Sequence, residues 1–351
     1  MKIAQVAPLI ERVPPRLYGG TERVVSYLTE ELVRRGHRVT LFASGDSVTG
    51  AHLVAGAPRA LRLNPMVRDP LPHTMLLLEQ VRKRADDFDI LHFHTDVVHF
   101  PLFRPMARRT VTTLHGRLDL PDLKFFYREF DDMPVVSISD HQRGPIPHAN
   151  WIGTVHHGLP RELTRYCPHP KGGYLTFLGR ISPEKRPDRA IAIAKRVGMR
   201  LRIAAKVDRA DEAYFDSEIR PLLDHPLVEW VGEIGEHDKP EFLGNAEALL
   251  FPVDWPEPFG LVMIEAMACG TPTIAYRCGS VPEIIEHGTN GYIVDDEDSA
   301  VDAVRKLGEL DRARVRACFE RRFTVERMAD DYLKVYAKLR ESADERDRRA
   351  A

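Results

Sequence analysis

The sequence predicts a doubly wound parallel α/β protein made of two domains, and three observations lead to this fold class. The chain has 351 residues, which is too long for one ordinary hydrophobic core and fits two. Short apolar segments with the length of buried strands alternate with segments of helical periodicity along the whole chain. Between Arg161 and Gly173 the chain has two prolines, two glycines and no periodicity, as expected of a linker.

The first half of the chain supplies one of the two predicted sheets. A helix is predicted from Thr21 to Arg35, because Val24 and Leu28 lie at helical spacing and Gly36 is a stop signal. Short apolar runs predict buried strands at 2–8, 38–43, 90–94, 111–115, 135–139 and 151–158.

The second half repeats the same alternation and predicts a second sheet. Its strands are predicted at 174–179, 200–205, 228–232, 247–253, 272–276 and 291–294. We therefore expect an N-terminal Rossmann-like domain over 1–160 and a C-terminal one over 171–322. A long amphipathic helix over about 323–340 is expected to pack back on the first domain. Two such domains would face a cleft, where the carboxyl ends of both sheets bind a ligand.

Composition excludes several classes of protein. The formal net charge is −2, which argues against a nucleic-acid partner. No apolar run approaches the roughly 18–20 residues of a membrane span, and the N-terminus lacks the features of a signal peptide. The four cysteines form no CxxC motif, so we expect reduced thiols in a cytoplasmic protein. The oligomeric state is left open.

The first candidate motif is Gly19-Gly20, which follows the first strand and opens the first helix. Glycines at this position let backbone N–H groups approach a ligand, and the start of a helix favours an anion. Taken alone, the pair predicts either a phosphate site or an ordinary turn.

The second motif is FLGRISPEKRP at 177–187. Arg180 and Lys185 follow the carboxyl end of a predicted strand, which is the edge where open α/β sheets bind ligands. A guanidinium and an ammonium at this edge suit a diphosphate. The alternative is solvated surface charge.

The third motif, WPEPFGLVMIEAMACGTP, carries two carboxylates, Glu257 and Glu265. Glu257 lies in a stiff Pro-rich loop after a strand. Glu265 lies in an apolar helix that starts near Gly260, and the N–H groups of Phe259, Gly260 and Leu261 would point at the same ligand. This arrangement suits an anion flanked by hydroxyls, as in a nucleotide sugar. The alternative is a solvated Glu257 and a Glu265 that faces a neighbouring lysine.

Together these segments resemble retaining family-4 glycosyltransferases with the GT-B fold. Glu257 and Glu265 match the E-x7-E pattern of that family, and GRISPEK, YGGTERVV and GSVPEIIEHGTNGYIV match its other conserved segments, so the resemblance spans about 1–340. The chain departs from the family at FPVDWPEPFG, with Asp254 and Pro258, and at His157, where an asparagine is common.

The resemblance implies a role for each matching position. The loop at Gly19 and Gly20 would approach the donor phosphates, and Arg180 and Lys185 would hold the diphosphate. Glu257, helped by the backbone around Phe259, Gly260 and Leu261, would bind the donor sugar, and Glu265 would bind the ribose. His115 would lie near the donor sugar, and Ile234 would pack against the base.

The function implied by the resemblance is retaining transfer of a hexose from a nucleotide-diphosphate sugar to an acceptor hydroxyl. A UDP-sugar is slightly favoured over GDP-mannose, and neither a metal nor a cofactor is required. The alternatives are a nucleotide-sugar epimerase or hydrolase, and a non-catalytic protein that binds sugar nucleotides. The acceptor is left open among a glycan, a lipid and a small molecule. Basic residues such as Arg104 and Arg108 indicate either peripheral membrane contact or ordinary helix surface.

Three histidines in HFHTDVVHF, namely His92, His94 and His99, form a second polar pattern. Alternation along a strand would place His92 and His94 on one face, where a metal site is conceivable. A full set of ligands is not evident, so we expect no metal. Asp96, at the end of the same strand, could contact an acceptor.

Overall fold

The computed structural model of the protein describes residues 1–17, 19–62 and 64–350, with side chains through 341. The chain divides into two compact units. Unit 1 comprises Met1–Gly158 and Val325–Ala351, and unit 2 comprises Leu159–Thr324. Across the part of the chain that the structure describes, no α-helix offers a stretch long and apolar enough to span a bilayer.

Unit 1 contains a parallel sheet with seven strands in the described residues. The spatial order is β3-β2-β1-β4-β5-β6-β7, so the chain winds outward in both directions from β1, as in a doubly wound fold. The strands are β1 (Lys2–Val6), β2 (Arg38–Ser44), β3 (His52–Ala57), β4 (Ile90–Phe93), β5 (Thr110–Thr113), β6 (Val135–Ser137) and β7 (Trp151–Thr154).

Helices cover the strands of unit 1, and the last helix of the chain packs against α1, β7 and the segment Arg104–Arg109. Among the aromatic residues at 125–130, Phe126 and Phe130 pack on the core, whereas Phe125 is exposed. The α-helices are α1 (Gly20–Arg34), α2 (Leu71–Lys83), α3 (Phe100–Phe103), α4 (Pro121–Glu129) and α12 (Val325–Ala350).

Unit 2 has the same architecture with six strands among the described residues, in the order β10-β9-β8-β11-β12-β13. The strands are β8 (Tyr174–Ile181), β9 (Arg200–Val207), β10 (Val228–Gly232), β11 (Ala248–Phe251), β12 (Thr273–Tyr276) and β13 (Gly291–Val294). The helices are α5 (Pro187–Val197), α6 (Glu212–Tyr214), α7 (Lys239–Gly244), α8 (Leu261–Cys269), α9 (Val281–Ile284), α10 (Glu297–Arg305) and α11 (Arg312–Arg322). Because β8 and β11 are neighbours, the loops that follow their carboxyl ends lie side by side.

The predicted fold class is confirmed, and every predicted strand is present, with ends that agree with the prediction or differ from it by up to four residues. The strand predicted at 151–158 ends earlier, at Thr154. The edge strand β3 was not predicted, because its residues are mostly half-exposed and Gly56 interrupts any apolar alternation. The final helix is longer than the predicted 323–340, since it runs from Val325 to Ala350.

Candidate functional site

The carboxylate of Glu257 is the centre of a polar cluster at the carboxyl edge of the unit 2 sheet. Its Oε2 contacts the Lys185 ammonium and accepts a hydrogen bond of 2.7 Å from the indole Nε1 of Trp255. The Lys185 Nζ also lies 5.1 Å from the centre of the Trp255 ring, within the range of a cation–π contact. The residues that the second and third motifs placed at one ligand edge are therefore in direct contact.

The two loops that carry Lys185 and Glu257 are tied together through Asp254. The backbone N–H of Asp254 donates to the carbonyl of Glu184 over 2.8 Å. Its carboxylate accepts hydrogen bonds of 2.8 Å from Arg186 and 2.9 Å from Arg189. Asp254 is one of the positions where the sequence departs from the family, and the structure shows that its side chain joins the loop after β11 to the loop after β8.

A third segment, Cys278–Ser280, lies directly against the Glu257 loop. The Ser280 N–H donates to the Glu257 carbonyl over 3.0 Å, and the Cys278 thiol lies 2.9 Å from the Trp255 carbonyl. Gly279 has φ +57°, and a Cβ at this position would lie 2.4 Å from both the nitrogen and the oxygen of Glu257. The backbone approach that orients Glu257 therefore requires glycine at position 279.

Replacing Gly279 by alanine is expected to lower the free energy of unfolding by about 2 kcal/mol or more, because a left-handed φ and an overpacked contact both oppose the new methyl group. Gly288 is the matched control, since it has φ +76° with nothing within 4 Å of an added Cβ. Gly288→Ala should cost only the conformational strain, about 1 kcal/mol. Urea unfolding of both variants checks this, and equal costs would contradict the proposed close approach.

The helix after the Glu257 loop begins with an unusual backbone turn. Gly260 precedes α8 with φ +81°, and an added Cβ would lie 2.8 Å from Met263 Cε. The Phe259 side chain is buried and packs edge-on to Phe323. Leu261 is the first residue of α8, and the first N–H groups of a helix receive no carbonyl from the helix itself. The start of α8 therefore directly follows the loop that carries Glu257.

Glu265 is buried in α8 and paired with a lysine of the preceding helix. Its Oε1 accepts a hydrogen bond of 2.7 Å from Lys239 Nζ, and the residue is only 3% exposed. This contact agrees with the alternative expectation from the sequence, in which Glu265 faces a neighbouring lysine. Ile234, in the loop before α7, packs half-buried on the apolar cluster that includes Phe242 and Ala266.

Arg180 lies near the end of β8, but its ion pairs differ from those of Lys185. Its guanidinium lies 3.6 Å from the Asp208 carboxylate and 3.8 Å from that of Asp211. Both acids follow β9, the neighbouring strand. Burial raises the pKa of Asp211, and the positive charge of Arg180 opposes this increase. The structure therefore holds Arg180 against two carboxylates of the neighbouring loop.

The glycine pair lies in unit 1, at the start of α1. Gly19 precedes the helix with φ +150°, and an added Cβ would lie 2.8 Å from Pro15 Cβ. Gly20 is the first residue of α1. The Arg23 guanidinium donates to the Leu17 carbonyl over 2.7 Å and holds the loop against its helix. Tyr18 of the same motif lies outside the described residues.

His115 follows β5 in unit 1, and its turn is fixed on both sides. The Gln142 side-chain amide donates to the carbonyl of Leu114 over 2.9 Å and to that of Gly116 over 2.8 Å. The imidazole stacks on His157, with ring centres 5.3 Å apart. Burial lowers the pKa of His115 to about 3, so its ring is neutral near pH 7. His157, where the sequence departs from the family, thus supports the His115 ring.

The three histidines of HFHTDVVHF do not share one environment. His92 in β4 and His94, which directly follows β4, lie on the same side of the sheet with ring centres 4.1 Å apart. His99 stacks on the Phe93 ring at 3.9 Å and binds Thr112, which places it on the opposite face. Among the described side chains, no group of three or more His, Cys, Asp or Glu could hold a metal ion. Asp96, after β4, has φ +50°, a strained conformation for a residue other than glycine.

The structure thus brings some of the predicted residues together and keeps others apart. Lys185 and Glu257 form one cluster with the start of α8 beside it, Arg180 and Glu265 have separate partners, and Gly19, Gly20 and His115 belong to unit 1. Sequence reasoning missed Trp255 and Lys239. Trp255 lies two residues from Glu257 and could have been suspected as an indole donor, whereas no local pattern connects Lys239 to Glu265.

Two family models match overlapping parts of the chain. Residues 18–211 match the family model described as Glycosyltransferase Family 4, and residues 168–321 match that of Glycosyl transferases group 1. An N-acetyl-alpha-D-glucosaminyl L-malate synthase of Bacillus anthracis is 24% identical, with 91% of this chain and 93% of that protein covered.

Two solved structures resemble the protein over nearly its full length. AviGT4, a glycosyltransferase involved in avilamycin A biosynthesis, has a TM-score of 0.76 at 23% identity, covering 97% of this chain and 98% of that one. Anabaena HepE in complex with UDP and glucose has a TM-score of 0.73 at 17% identity, covering 96% of this chain and 100% of that one. Since the Family 4 model spans more than half of the sequence, the chain belongs to Glycosyltransferase Family 4 and is a glycosyltransferase with the GT-B fold.

Proposed function

We propose that the protein transfers a hexose from a nucleotide-diphosphate sugar to an acceptor hydroxyl with retention of configuration at the anomeric carbon. The observation that carries this proposal is the contact between Lys185 and Glu257 at the carboxyl edge of the unit 2 sheet. An ammonium that can bind a diphosphate lies beside a carboxylate that can accept hydrogen bonds from sugar hydroxyls. Both are held by three interlocked loops, as a preorganised site requires.

The diphosphate is proposed to bind between Arg180, Lys185 and the start of α8. Arg180 is already at the strand edge, and a bound diphosphate would replace Asp208 and Asp211 as its anionic partner. The glycine pair Gly19-Gly20, at the start of α1, is proposed to bind a phosphate of the donor through its backbone. As the sugar departs, these fixed positive groups stabilise the negative charge that develops on the diphosphate.

Glu257 is proposed to accept hydrogen bonds from the donor sugar. Within unit 1, the role proposed for His115 is a contact to a hydroxyl of the transferred sugar. Glu257 Oε2 contacts the Lys185 ammonium and accepts from the Trp255 N–H, which lowers the nucleophilicity of this carboxylate, and Oε1 would accept the hydrogen bonds from the sugar hydroxyls. This supports a route without a covalent enzyme intermediate. The bond between the anomeric carbon and the diphosphate oxygen breaks, and the acceptor oxygen bonds to the same face. The acceptor proton passes to the departing diphosphate oxygen.

The nucleoside is proposed to bind near α7 and α8. Glu265 would accept hydrogen bonds from the ribose hydroxyls while Lys239 keeps its charge balanced, and Ile234 would pack against the base. The neighbour HepE, solved with UDP and glucose, supports a UDP-sugar over GDP-mannose. The acceptor is proposed to be a hydroxyl of a glycan, a lipid or a small molecule.

A thermal-shift screen with UDP, GDP, ADP and their sugars tests the donor proposal. UDP and UDP-sugars are expected to raise the melting temperature most, since a ligand at a hundred times its Kd stabilises the native state by about 2.7 kcal/mol. Arg180→Ala should lose most of this shift. A larger shift with GDP would overturn the choice of base, and no shift with any nucleotide would overturn the donor site.

Removal of metal ions tests a further part of the proposal. Because Arg180, Lys185 and the α8 backbone supply the positive charge for the diphosphate, the rate of sugar transfer is expected to be unchanged after treatment with EDTA. The rate is measured with and without added magnesium, with a magnesium-dependent transferase as the control for chelation. A rate that falls with EDTA and returns with magnesium would contradict this proposal.

A further inference from the structure

A buried polar network runs through unit 1 on the face of the sheet that carries His115. Strand alternation places His92 in β4 and His94, which directly follows β4, on the same side of the sheet, and the β1–β4 register sets Gln5 opposite His92. Thr113 and His115 extend the same alternation from β5 into the following turn. Tyr332 and Tyr336, one helical turn apart on α12, cover this face. We call these seven residues the histidine network, and only His115 among them is partly exposed.

The first half of the histidine network connects His115 to α12. His115 Nε2 lies 2.9 Å from His94 Nδ1, and His94 Nε2 lies 2.8 Å from the Gln5 side-chain oxygen. The Gln5 side-chain nitrogen donates to the Tyr336 hydroxyl over 3.1 Å. Each of these distances is that of a hydrogen bond.

The second half continues from Tyr336 back into the sheet. The Tyr336 hydroxyl lies 2.7 Å from His92 Nδ1, and His92 Nε2 lies 2.8 Å from the Thr113 hydroxyl. The Thr113 hydroxyl lies 2.9 Å from that of Tyr332. The network is therefore one unbranched chain of hydrogen bonds from His115 to Tyr332, apart from a longer Gln5–His92 contact of 3.3 Å.

Burial keeps the three imidazoles of the network neutral. It lowers the pKa of His92 to about 3, that of His115 to about 3, and that of His94 well below its usual value. A neutral imidazole has one N–H donor and one acceptor nitrogen. Each ring can therefore donate on one side and accept on the other, so the two hydrogen bonds of His94 point in the same direction along the chain, and so do those of His92.

The Gln5 amide determines that direction. Its oxygen accepts from His94, so the His94 proton is on Nε2 and its Nδ1 is an acceptor. His115 must then carry its own proton on Nε2 and donate it to His94. The other nitrogen of His115, Nδ1, is left with a lone pair, and the structure gives it no hydrogen bond to any of the described residues. The tautomers follow from the pattern of partners.

We propose that Gln5 and His94 are positioning residues that fix His115 as the Nε2–H tautomer, so that Nδ1 accepts a hydrogen bond from a hydroxyl of the transferred sugar. Only the sugar contact in this inference rests on the proposed function. The tautomer itself is a property of unit 1 in the free protein. The proposal also gives a reason for the burial of His92, His94 and Gln5, which form no metal site with the other described residues.

Replacing Gln5 by leucine tests the proposal. Without the Gln5 oxygen, a buried His94 Nε2–H would have no acceptor, which is costly. The His94 proton is expected to move to Nδ1 and donate to His115 Nε2, which would force His115 into the Nδ1–H tautomer. The imidazole ¹⁵N shifts of the free protein, labelled selectively at histidine, report the tautomer. The His115 signals are identified by their loss in His115→Asn.

The expected result is an Nε2–H His115 in the wild type and an Nδ1–H His115 in Gln5→Leu. The variant should also lose about tenfold in kcat/KM, the effect of one lost neutral hydrogen bond. Thr112→Val is the matched control, because it removes a buried 2.8 Å contact to His99 on the opposite face. It should change neither the His115 tautomer nor the rate.

Three outcomes would overturn the proposal: an Nδ1–H His115 in the wild type, an unchanged tautomer in a folded Gln5→Leu variant, or an inverted tautomer with an unchanged rate. If Gln5→Leu does not fold, His94→Phe removes the acceptor of the His115 Nε2–H and should give a mixture of both His115 tautomers. A single unchanged tautomer in that variant would count against the proposal. A protein that transfers no sugar but shows these shifts would refute the proposed function and leave the tautomer assignment intact.

Discussion

Replacing Lys185 by alanine is expected to lower kcat/KM for sugar transfer by about 10²- to 10³-fold, the usual effect of removing one preorganised charge from a transition state. The substitution removes a cation from the diphosphate and leaves the buried Glu257 carboxylate with the Trp255 N–H as its remaining partner in the cluster. Both effects oppose catalysis. Steady-state kinetics at several donor concentrations measure the loss.

Lys171→Ala is the control for this prediction, because Lys171 is exposed in the linker before β8. It should leave kcat/KM unchanged. A second comparison, Lys185→Arg, keeps the charge but changes its shape, and we expect partial activity because a guanidinium does not replace an ammonium in a compact contact. Full activity in Lys185→Ala would show that Lys185 takes no part in sugar transfer.

Replacing Glu265 by leucine is expected to destabilise unit 2 by about 3 kcal/mol, because a mostly buried Lys239 ammonium then lacks its partner. UDP affinity should fall by about tenfold or more, since hydrogen bonds from the ribose hydroxyls to a charged group would be lost. Urea unfolding measures the first effect, and calorimetric titration with UDP measures the second. Asp216→Ala, which breaks an exposed pair with Arg220, should cost about 0.5 kcal/mol or less.

The double variant Lys239→Met/Glu265→Leu separates stability from binding. Apolar side chains often replace a buried ion pair without net cost, so the double variant should recover most of the lost stability. Its affinity for UDP should remain low, because the proposed ribose acceptor is still missing. A double variant that binds UDP as the wild type does would show that Glu265 serves stability alone.

Local pattern predicted the fold well where a strand is buried on both faces. β1, β4 and β11 are short apolar runs, and such runs stand out in a sequence. β3 was missed because it lies at the edge of its sheet and is held by pairing with β2 rather than by its own apolar character. The length of α12 was also missed, because the charged segment after Leu339 lacks the apolar stripe that predicted the rest of the helix.

The candidate site shows a similar division. The motifs predicted which residues follow the carboxyl ends of β8 and β11, and the adjacency of those strands then brings Lys185 to Glu257. The partner of Glu265 could not be predicted, because Lys239 lies 26 residues away and reaches it only through the packing of α7 on α8. The contact between Gln5 and His94 could not be predicted either, because the neighbours of a strand residue across the sheet are known only when the strand register is known.

Asp254, one of the departures from the family pattern, and its neighbour Trp255 both have physical roles within unit 2. Asp254 ties the loop after β11 to Arg186 and Arg189, and Trp255 donates to Glu257. The Glu257 loop is thereby held by neighbouring segments as well as by its two prolines. This rigidity is expected to favour donor selectivity, because a preorganised acceptor discriminates among hydroxyl arrangements better than a mobile one.

Real-time ¹H NMR of the wild-type protein with an α-linked UDP-sugar and an acceptor tests the central proposal most directly. Retaining transfer predicts that an α-linked acceptor product and UDP appear together, at equal rates, and that both are lost in Glu257→Gln. A β-linked product would contradict retention. Free sugar without acceptor product would indicate a hydrolase, a changed sugar still bound to UDP would indicate an epimerase, and binding without turnover over a broad acceptor panel would indicate a non-catalytic protein.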